Sequence, residues 1–281
     1  MKGCRLTLFL FSLITCIVFS GCAAQDTLTG TKHVMRVHFI DVGQGDSILV
    51  QTGGINMLID AGPEASSDSL VSYLKKQKIR KLHYIVATHP HEDHIGGMAA
   101  VIRKFEVGRF YAPRTVSETR YFEDMAVSLM QRDLRITPSR EGTRLFLGER
   151  AECLMLWPRS DTYDNPNNYS SVMRVTYGSS SFLFTGDAEE PVEDAIIGSG
   201  EDIDCDVLKA GHHGSSTSSS MQLLEAVTPD TAIISVGKNN DFGHPSKAVL
   251  NSLQSMDVQI YRTDIDGTVI LESDGKRIIK K

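Results

Sequence analysis

Three histidines and two carboxylates fall within six residues in the stretch Thr88-His89-Pro90-His91-Glu92-Asp93-His94-Ile95-Gly96-Gly97. The apolar run Tyr84-Ile85-Val86-Ala87 precedes it and predicts a strand that carries the chain to the edge of a sheet. His89 and His91 stand two residues apart, so in extended chain their side chains point the same way. The sequence therefore predicts an edge of a sheet at which several donor side chains converge.

These donors suit a divalent metal ion, because zinc and similar ions prefer imidazole nitrogens and carboxylate oxygens. We predict that His89 and His91 hold one ion and that Asp93 and His94 hold a second. A lone histidine pair is more often a surface or core feature than a pair of ligands. A complete His-x-His-x-Asp-His pattern is much rarer by chance, so metal binding is the favoured interpretation.

A further acid ends the apolar run Phe182-Leu183-Phe184-Thr185-Gly186-Asp187. A carboxylate at the end of a buried strand can bridge two ions, since each oxygen can bind one of them. We therefore predict that Asp187 joins the two ions. The alternative is an aspartate in a turn or a helix cap, because a helix is predicted to begin at Glu189.

Two later motifs also place histidines at the ends of predicted elements. Gly211-His212-His213-Gly214 follows the predicted strand 207–210, and its glycines let the backbone approach a metal centre closely. One of these histidines is expected to bind the second ion and the other to contact substrate or solvent. His244 lies in a turn before a helix and is expected to donate to a phosphate or a developing oxyanion. The alternative for His244 is an ordinary surface position.

The N-terminus has the character of an export signal. Lys2 and Arg5 precede an apolar run of 14 residues, Leu6 to Phe19, which is short for a membrane span and typical of a secretory signal. The sequence Phe19-Ser20-Gly21-Cys22 resembles the bacterial lipobox, which implies cleavage before Cys22 and lipid on that cysteine. A short uncleaved anchor is the alternative. In both cases we expect the rest of the chain to lie outside the cytoplasm, tied to a membrane.

Composition is that of an ordinary globular protein of 281 residues, 41% hydrophobic and 23% charged. The formal net charge is −6, and removal of residues 1–21 leaves 27 basic and 35 acidic residues, a net of −8. This acidic balance argues against a broad nucleic-acid-binding surface, although a local basic groove or a metal centre is compatible with it. Export would permit a disulfide between Cys153 and Cys205, but both lie in strand-like runs and we expect buried free thiols.

The periodicity predicts one folded domain of class α+β. Strand patterns joined by hairpin turns, followed by helical patterns, occur once from Val34 to Arg132 and again from Ala151 to Glu272. Sheets inside and helices outside form the layered sandwich that such a chain can build. We therefore divide the chain into a signal peptide, residues 1–21, a tether, residues 22–33, and one folded domain, residues 34–281.

These motifs together resemble the metallo-β-lactamase fold superfamily. The pattern from His89 to His94 is similar to its metal motif, and Leu58-Ile59-Asp60-Ala61-Gly62, Thr185-Gly186-Asp187 and the paired histidines are similar to its other motifs. The resemblance implies a four-layer αββα sandwich. More narrowly, Phe39-Ile40-Asp41-Val42-Gly43-Gln44-Gly45-Asp46-Ser47 and Gly243-His244-Pro245 resemble the extracytoplasmic hydrolase domain of ComEC-type DNA-uptake proteins.

The resemblance also implies roles for residues behind the ligands. Asp60 is expected to support the histidine loop, and Asp41 and Asp46 are expected to support the site in the same way. The family usually has a third histidine before the bridging aspartate, but no histidine occurs between His94 and His212. Its place falls in Asn167-Asn168-Tyr169-Ser170-Ser171, so Asn168, Ser170 or water is expected to complete the shell of the first ion.

The predicted activity is that of a metal-dependent hydrolase with two divalent ions, zinc or manganese. A water between the ions would lose a proton far below its bulk pKa of ~15.7, and the hydroxide would attack a phosphodiester, with DNA strands favoured by the resemblance. Asp93, Asp187 and His244 are the predicted catalytic residues. Asp93 binds one ion, Asp187 bridges the two, and His244 or the spare histidine stabilises the leaving side. The alternatives are a phosphorylcholine esterase, a lactone or lactam hydrolase, and a non-catalytic lipoprotein that binds nucleic acid or metal. The sequence leaves the oligomeric state open.

Overall fold

The structure is a computed structural model that describes residues 34–281. In chain order its strands are β1 (Met35–Phe39), β2 (Ile48–Thr52), β3 (Ile55–Ile59), β4 (Lys81–Val86), β5 (Glu106–Ala112), β6 (Ile136–Pro138), β7 (Arg144–Phe146), β8 (Ala151–Met155), β9 (Met173–Tyr177), β10 (Ser180–Phe184), β11 (Val207–Lys209), β12 (Thr231–Ile234), β13 (Gln259–Arg262), β14 (Val269–Ser273) and β15 (Ile278–Lys280). Its α-helices are α1 (Ser67–Lys76), α2 (Glu92–Ile95), α3 (Met98–Lys104), α4 (Arg120–Gln131), α5 (Glu190–Ile197), α6 (Met221–Val227), α7 (Lys247–Ser255) and α8 (Thr263–Asp266).

The strands form two mixed sheets. The first has the order β15-β14-β1-β2-β3-β4-β5-β6 and the second the order β13-β12-β11-β10-β9-β8-β7. Strands β1 to β3 are antiparallel, whereas β3, β4, β5 and β6 run parallel. In the second sheet β7 to β10 are antiparallel and β10 to β13 are parallel. Hairpins and crossovers are therefore mixed in both halves of the chain.

The core lies between the sheets and is continued on their outer faces. Phe39 of the first sheet packs against Phe184 of the second, with ring centroids 6.1 Å apart. Full burial of one such side chain contributes about 1.5–3 kcal/mol. Helices α1, α3 and α4 cover the first sheet, and α5, α6 and α7 cover the second. The predicted α+β sandwich is confirmed.

Parallel pairing brings the functional motifs to one end of the sandwich. The loop that begins at Thr88 follows β4, Asp187 follows β10, and the segment 211–214 follows β11. Because β10 and β11 are adjacent and parallel, the segments after their carboxyl ends emerge side by side. Sites of α/β sheets form at such carboxyl ends.

Helical structure in the histidine loop starts earlier than predicted. The sequence predicts a helix over 95–105, but α2 begins at Glu92, and Ile95 N donates to His91 O at 2.9 Å. Gly97 separates α2 from α3. His94 therefore lies on a helix rather than before one. The three-residue strands β6, β7 and β15 were also missed, since such short runs show no periodicity.

Cys153 and Cys205 are buried free thiols, as predicted. Burial raises the pKa of the Cys153 thiol to about 12, so it stays protonated and unreactive. The predicted signal peptide, residues 1–21, and the whole predicted tether, residues 22–33 with Cys22, lie outside the described residues. Within residues 34–281, no helix is both long and apolar enough to cross a bilayer.

Candidate metal centre

His89 and His91 face each other at one side of the site. His89 is buried, and its Nε2 lies 3.0 Å from His91 Nδ1. Its Nδ1 lies 3.1 Å from the hydroxyl of Thr88 and 3.4 Å from that of Ser170. Burial, reinforced by the neighbouring His94, holds the pKa of His89 well below its usual value. His89 is therefore a neutral imidazole, the form that binds metal ions.

His94 is oriented by a carboxylate behind it. Its Nδ1 lies 2.8 Å from Asp60 Oδ2, and Asp60 also accepts hydrogen bonds from the amide and hydroxyl of Thr88 at 2.8 and 2.6 Å. This contact favours the tautomer with the proton on Nδ1. The other nitrogen, Nε2, then faces Asp187 Oδ2 at 3.2 Å and Asp93 Oδ2 at 3.9 Å. Asp60 thus has the supporting place that the resemblance implied.

Asp187 lies at the centre of the cluster. Its side chain is 2% exposed, and its Oδ2 has four imidazole nitrogens around it. The distances are 3.2 Å to His94 Nε2, 3.4 Å to His213 Nε2, 3.7 Å to His89 Nε2 and 3.8 Å to His212 Nε2. The separate motifs therefore converge on this one carboxylate.

The two adjacent histidines of the segment 211–214 point to different neighbours. His213 is buried, with Nδ1 2.9 Å from the carbonyl of Ser235 and Nε2 3.2 Å from Asp93 Oδ2. His212 is partly exposed, and its Nδ1 lies 3.5 Å from Glu189 Oε1. Both histidines have left-handed backbone, with φ of 48° and 54°. Of the two, His213 is the one that joins Asp93, His94 and Asp187 in a group that could hold a metal ion.

Replacing His213 by Ala should therefore weaken zinc binding by more than the 10–100-fold that loss of a partner behind a ligand typically causes. His212→Ala, the matched control, should leave zinc affinity little changed, because that ring sits at the edge of the cluster. Competition with a chromophoric chelator measures both affinities. A larger loss of zinc affinity in His212→Ala than in His213→Ala would contradict the choice of His213 as the ligand.

The spacing of the donor atoms and their lack of hydrogen-bond partners fit a metal ion. Asp93, His94, Asp187 and His213 offer ligand atoms that all lie within 4.8 Å of one another. Within the described part of the chain, His94 Nε2, His213 Nε2 and Asp187 Oδ1 are buried without a hydrogen-bond partner. Each such group costs about 1–3 kcal/mol when left unpaired. A divalent cation would satisfy all of them at once.

The pKa values of His94 and His213 also indicate a site for positive charge. Burial disfavours charge on His94 and His213, but the surrounding carboxylates, with Asp187 foremost, outweigh it and hold the pKa of both rings well above the usual value. The carboxylates therefore attract positive charge to this point, as protons or as a metal ion that displaces them. This arrangement could bind metal.

Asn168 and Ser170 occupy the region where the family's third histidine was expected. The hydroxyl of Ser170 accepts from the amide of Asp187 at 3.0 Å and lies beside His89 Nδ1, on the side of the ring away from His91. The side-chain oxygen of Asn168 accepts from the amide of Glu189 at 3.2 Å. Ser170 thus supports two ligands from behind, whereas Asn168 holds the start of α5.

Asp46 supports the site together with a residue that the sequence did not single out. Lys209 is completely buried, and its ammonium lies 2.9 Å from Asp46 Oδ2 and donates to the carbonyl of Ala210 at 2.8 Å. The other oxygen of Asp46 lies 3.4 Å from His213 Nδ1. Burial opposes the charge of Asp46, but Lys209 and His213 hold its pKa at about 2. In the sequence, the only indication of this ion pair is a single lysine within an apolar run.

Gly45 lets the loop between β1 and β2 pack closely against the histidine loop at Asp93. Its φ is +131°, and a Cβ there would lie 2.1 Å from Asp93 O. The next amide, that of Asp46, donates to the same oxygen at 3.1 Å. Asp41 instead stays in the turn, where it is exposed and accepts from the Gly43 amide at 3.1 Å. The supporting role expected for Asp41 is thus replaced by a turn contact.

The mouth of the site is lined by polar groups and by His244. Glu189, which the sequence did not single out, accepts hydrogen bonds from the side-chain amides of Asn165 and Asn167 at 2.7 and 3.1 Å. His244 is half-buried, and its ring centroid lies 5.5 Å from that of His212. Burial lowers the pKa of His244, so it borders the cluster as a neutral ring.

Comparison with known proteins gives a family and a group of relatives. The family model "Metallo-beta-lactamase superfamily" matches residues 40–238. The chain is 31% identical to ComE operon protein 3 of Bacillus subtilis over 254 residues, which cover 83% of this chain and 32% of that protein. It is 32% identical to competence protein ComA of Neisseria gonorrhoeae over 231 residues, 82% of this chain and 31% of that protein. Both relatives are ComEC-type competence proteins, and this chain spans about a third of their length.

A solved structure is similar in fold. The metallo-beta-lactamase fold protein YhfI from Bacillus subtilis superposes with a TM-score of 0.58 at 15% identity, covering 86% of this chain and all of that one. At this identity the likeness concerns the fold alone, since one fold carries many activities.

Proposed function

This chain belongs to the metallo-beta-lactamase superfamily, and from that premise we propose that it is a phosphodiesterase that cleaves nucleic acid strands with two divalent metal ions. The observation that carries the proposal is the convergence of Asp93, His94, His213 and other imidazoles on the buried carboxylate of Asp187. The likeness to ComEC-type competence proteins supports a DNA strand as substrate.

The residues divide into two groups of ligands around Asp187. His89 and His91 would hold one ion, and Asp93, His94 and His213 would hold the other. When bound, two such ions lower the pKa of water and polarise the oxygens of a phosphoryl group. Asp60, Ser170 and Asp46 keep the ligands in place, so little reorganisation is needed when substrate arrives.

The groups at the mouth would orient the substrate. His212 is partly exposed and lies between Asp187 and Glu189, so it can donate to the oxygen that leaves phosphorus. Glu189 itself is fixed by Asn165 and Asn167 and would keep the ring of His212 in one orientation. The neutral His244 would contact a neighbouring phosphate oxygen or the sugar.

Purified protein should cleave bis-p-nitrophenyl phosphate and a single-stranded oligonucleotide in manganese or zinc, and EDTA should abolish both reactions. Nitrocefin and a lactone serve as comparison substrates, because the same fold serves lactam and lactone hydrolases. Metal analysis of the same sample should find about two ions per chain. Faster turnover of nitrocefin or the lactone, or one ion or none with no hydrolysis, would reject the proposal.

We further propose that the domain works outside the cytoplasm, held at a membrane by lipid on Cys22. The support is the basic start, the short apolar run and the lipobox-like sequence within residues 1–22. A surface location would give the domain access to DNA strands that arrive from outside the cell.

A further inference from the structure

Phe242 is an exposed aromatic residue beside the candidate metal centre. It is 69% exposed, although phenylalanine is usually buried. Its ring lies nearly parallel to that of His244, with centroids 5.7 Å apart and an interplanar angle of 24°. Phe242 thus presents a flat ring at the mouth.

The loop that carries Phe242 is held in place by hydrogen bonds. The side-chain oxygen of Asn240 accepts from the amides of Phe242 and His244 at 3.2 and 3.0 Å, and its nitrogen donates to the carbonyls of Gly237 and His244 at 3.0 and 2.7 Å. The amide of Gly237 donates to Gln44 Oε1 at 3.0 Å, which ties this loop to the loop beside the metal ligands. An aromatic ring fixed in this way loses little entropy when it binds a ligand.

The rings form a row from solvent to the cluster. His244 stacks on Phe242 on one side, and its centroid lies 5.5 Å from that of His212 and 6.4 Å from that of His213. A strand whose phosphate lies at the metal centre would extend its neighbouring nucleotide along this row. The exposed ring of Phe242 is then available to a base.

We infer that Phe242 is a stacking platform for a base of single-stranded nucleic acid, next to the phosphodiester at the metal centre. This inference rests on the proposed function. Stacking is tolerant of sequence, since every base has a π-face, and the ring contact itself involves no charge on the protein. It therefore suits a chain with a net charge of −6, which cannot rely on attraction to phosphates alone.

A base fits this ring better than the quaternary ammonium of a phosphorylcholine does. Choline groups are bound by aromatic cages that present several faces to the cation. This loop presents one phenylalanine ring backed by the ring of His244. The single open face matches a planar partner.

The test compares Phe242→Ala and Phe242→Trp with wild type on four probes. These are a mixed-sequence single-stranded oligonucleotide, the same strand with abasic residues, bis-p-nitrophenyl phosphate and p-nitrophenylphosphorylcholine. Phe242→Ala should raise KM for the normal strand and weaken its binding about 10-fold or more, while Phe242→Trp should restore both. All three proteins should bind and cleave the abasic strand equally well. They should also hydrolyse bis-p-nitrophenyl phosphate at equal rates. Fluorescence anisotropy with manganese present, and with non-hydrolysable linkages in each strand, measures binding without cleavage.

The outcomes separate this inference from the proposed function. Binding that depends on Phe242 without any phosphodiester cleavage would support stacking and reject the phosphodiesterase. Cleavage by wild type with no effect of either substitution would overturn stacking alone. An equal loss on bis-p-nitrophenyl phosphate would mean that the substitution disturbs the site, and a loss confined to the phosphorylcholine probe would mean a choline ligand. Both results overturn the inference.

Discussion

Asp187→Asn should reduce phosphodiester cleavage by well over 100-fold while the fold remains intact. This carboxylate faces four imidazoles, two from each half of the chain. An amide of the same shape cannot supply the negative charge that would hold the two cations of the proposed function. Loss of a partner behind a ligand already costs about 10–100-fold, and removal of a shared ligand should cost more. Initial rates with bis-p-nitrophenyl phosphate at saturating manganese measure the effect.

Asp206→Asn is the matched control for this variant. Asp206 precedes β11, whereas the site follows that strand, and its carboxylate accepts from the amide of Ser181 at 2.6 Å. This variant should keep wild-type activity. Circular dichroism should show both variants folded. Undiminished cleavage by Asp187→Asn with metal bound would mean that the reaction does not depend on the shared carboxylate.

Lys209→Met should destabilise the domain by about 3–5 kcal/mol, the cost of leaving one partner of a buried ion pair without the other. The ammonium of Lys209 and the carboxylate of Asp46 are 0% and 2% exposed and lie 2.9 Å apart. Without the lysine, the charge of Asp46 stays buried beside the carboxylates of the site. Urea unfolding in EDTA measures the change without the stabilisation that bound metal would add.

Two controls separate charge from packing. The double variant Asp46→Leu with Lys209→Met should recover much of the lost stability, because no charge is then left unpaired. Lys81→Met breaks the exposed pair of Lys81 and Glu106 and should have little effect, since solvent screens that pair. If the double variant is no more stable than Lys209→Met, altered packing and the lost hydrogen bond to Ala210, rather than the unpaired charge, are the cause.

The fold and the centre of the site could be predicted because their signals are local. The candidate ligands between His89 and His94 follow one strand within a few residues, and Asp187 follows another. The periodicity of a strand is enough to predict that the donor residues after it lie at the edge of the sheet. The sandwich itself follows from alternating apolar residues in both halves of the chain.

The choice between His212 and His213 could not be predicted. Both stand between glycines, and their roles depend on consecutive left-handed φ angles and on the carbonyl of Ser235. That carbonyl follows β12, which is distant in sequence from the histidines. Only the folded chain brings this acceptor to one ring and not to the other.

The ion pair of Lys209 with Asp46 could not be predicted for a similar reason. Periodicity identifies β11 as buried but does not tell which acid from the other half of the chain meets its lysine. Helix α2 was missed because its four residues show no helical spacing, and His91 begins it with an extended backbone. Features that depend on contacts between distant segments are thus the ones that sequence patterns miss.

The position of β14 has a consequence for the order in which the domain can be made. This strand lies beside β1, so the first strand of the domain gains its second neighbour only when residues 269–273 are available. A nascent chain that has left the ribosome only as far as β13 would carry all the ligand motifs but an unfinished first sheet. Maturation of the centre should therefore follow synthesis of the whole domain, and a stalled chain should be an easy substrate for proteases.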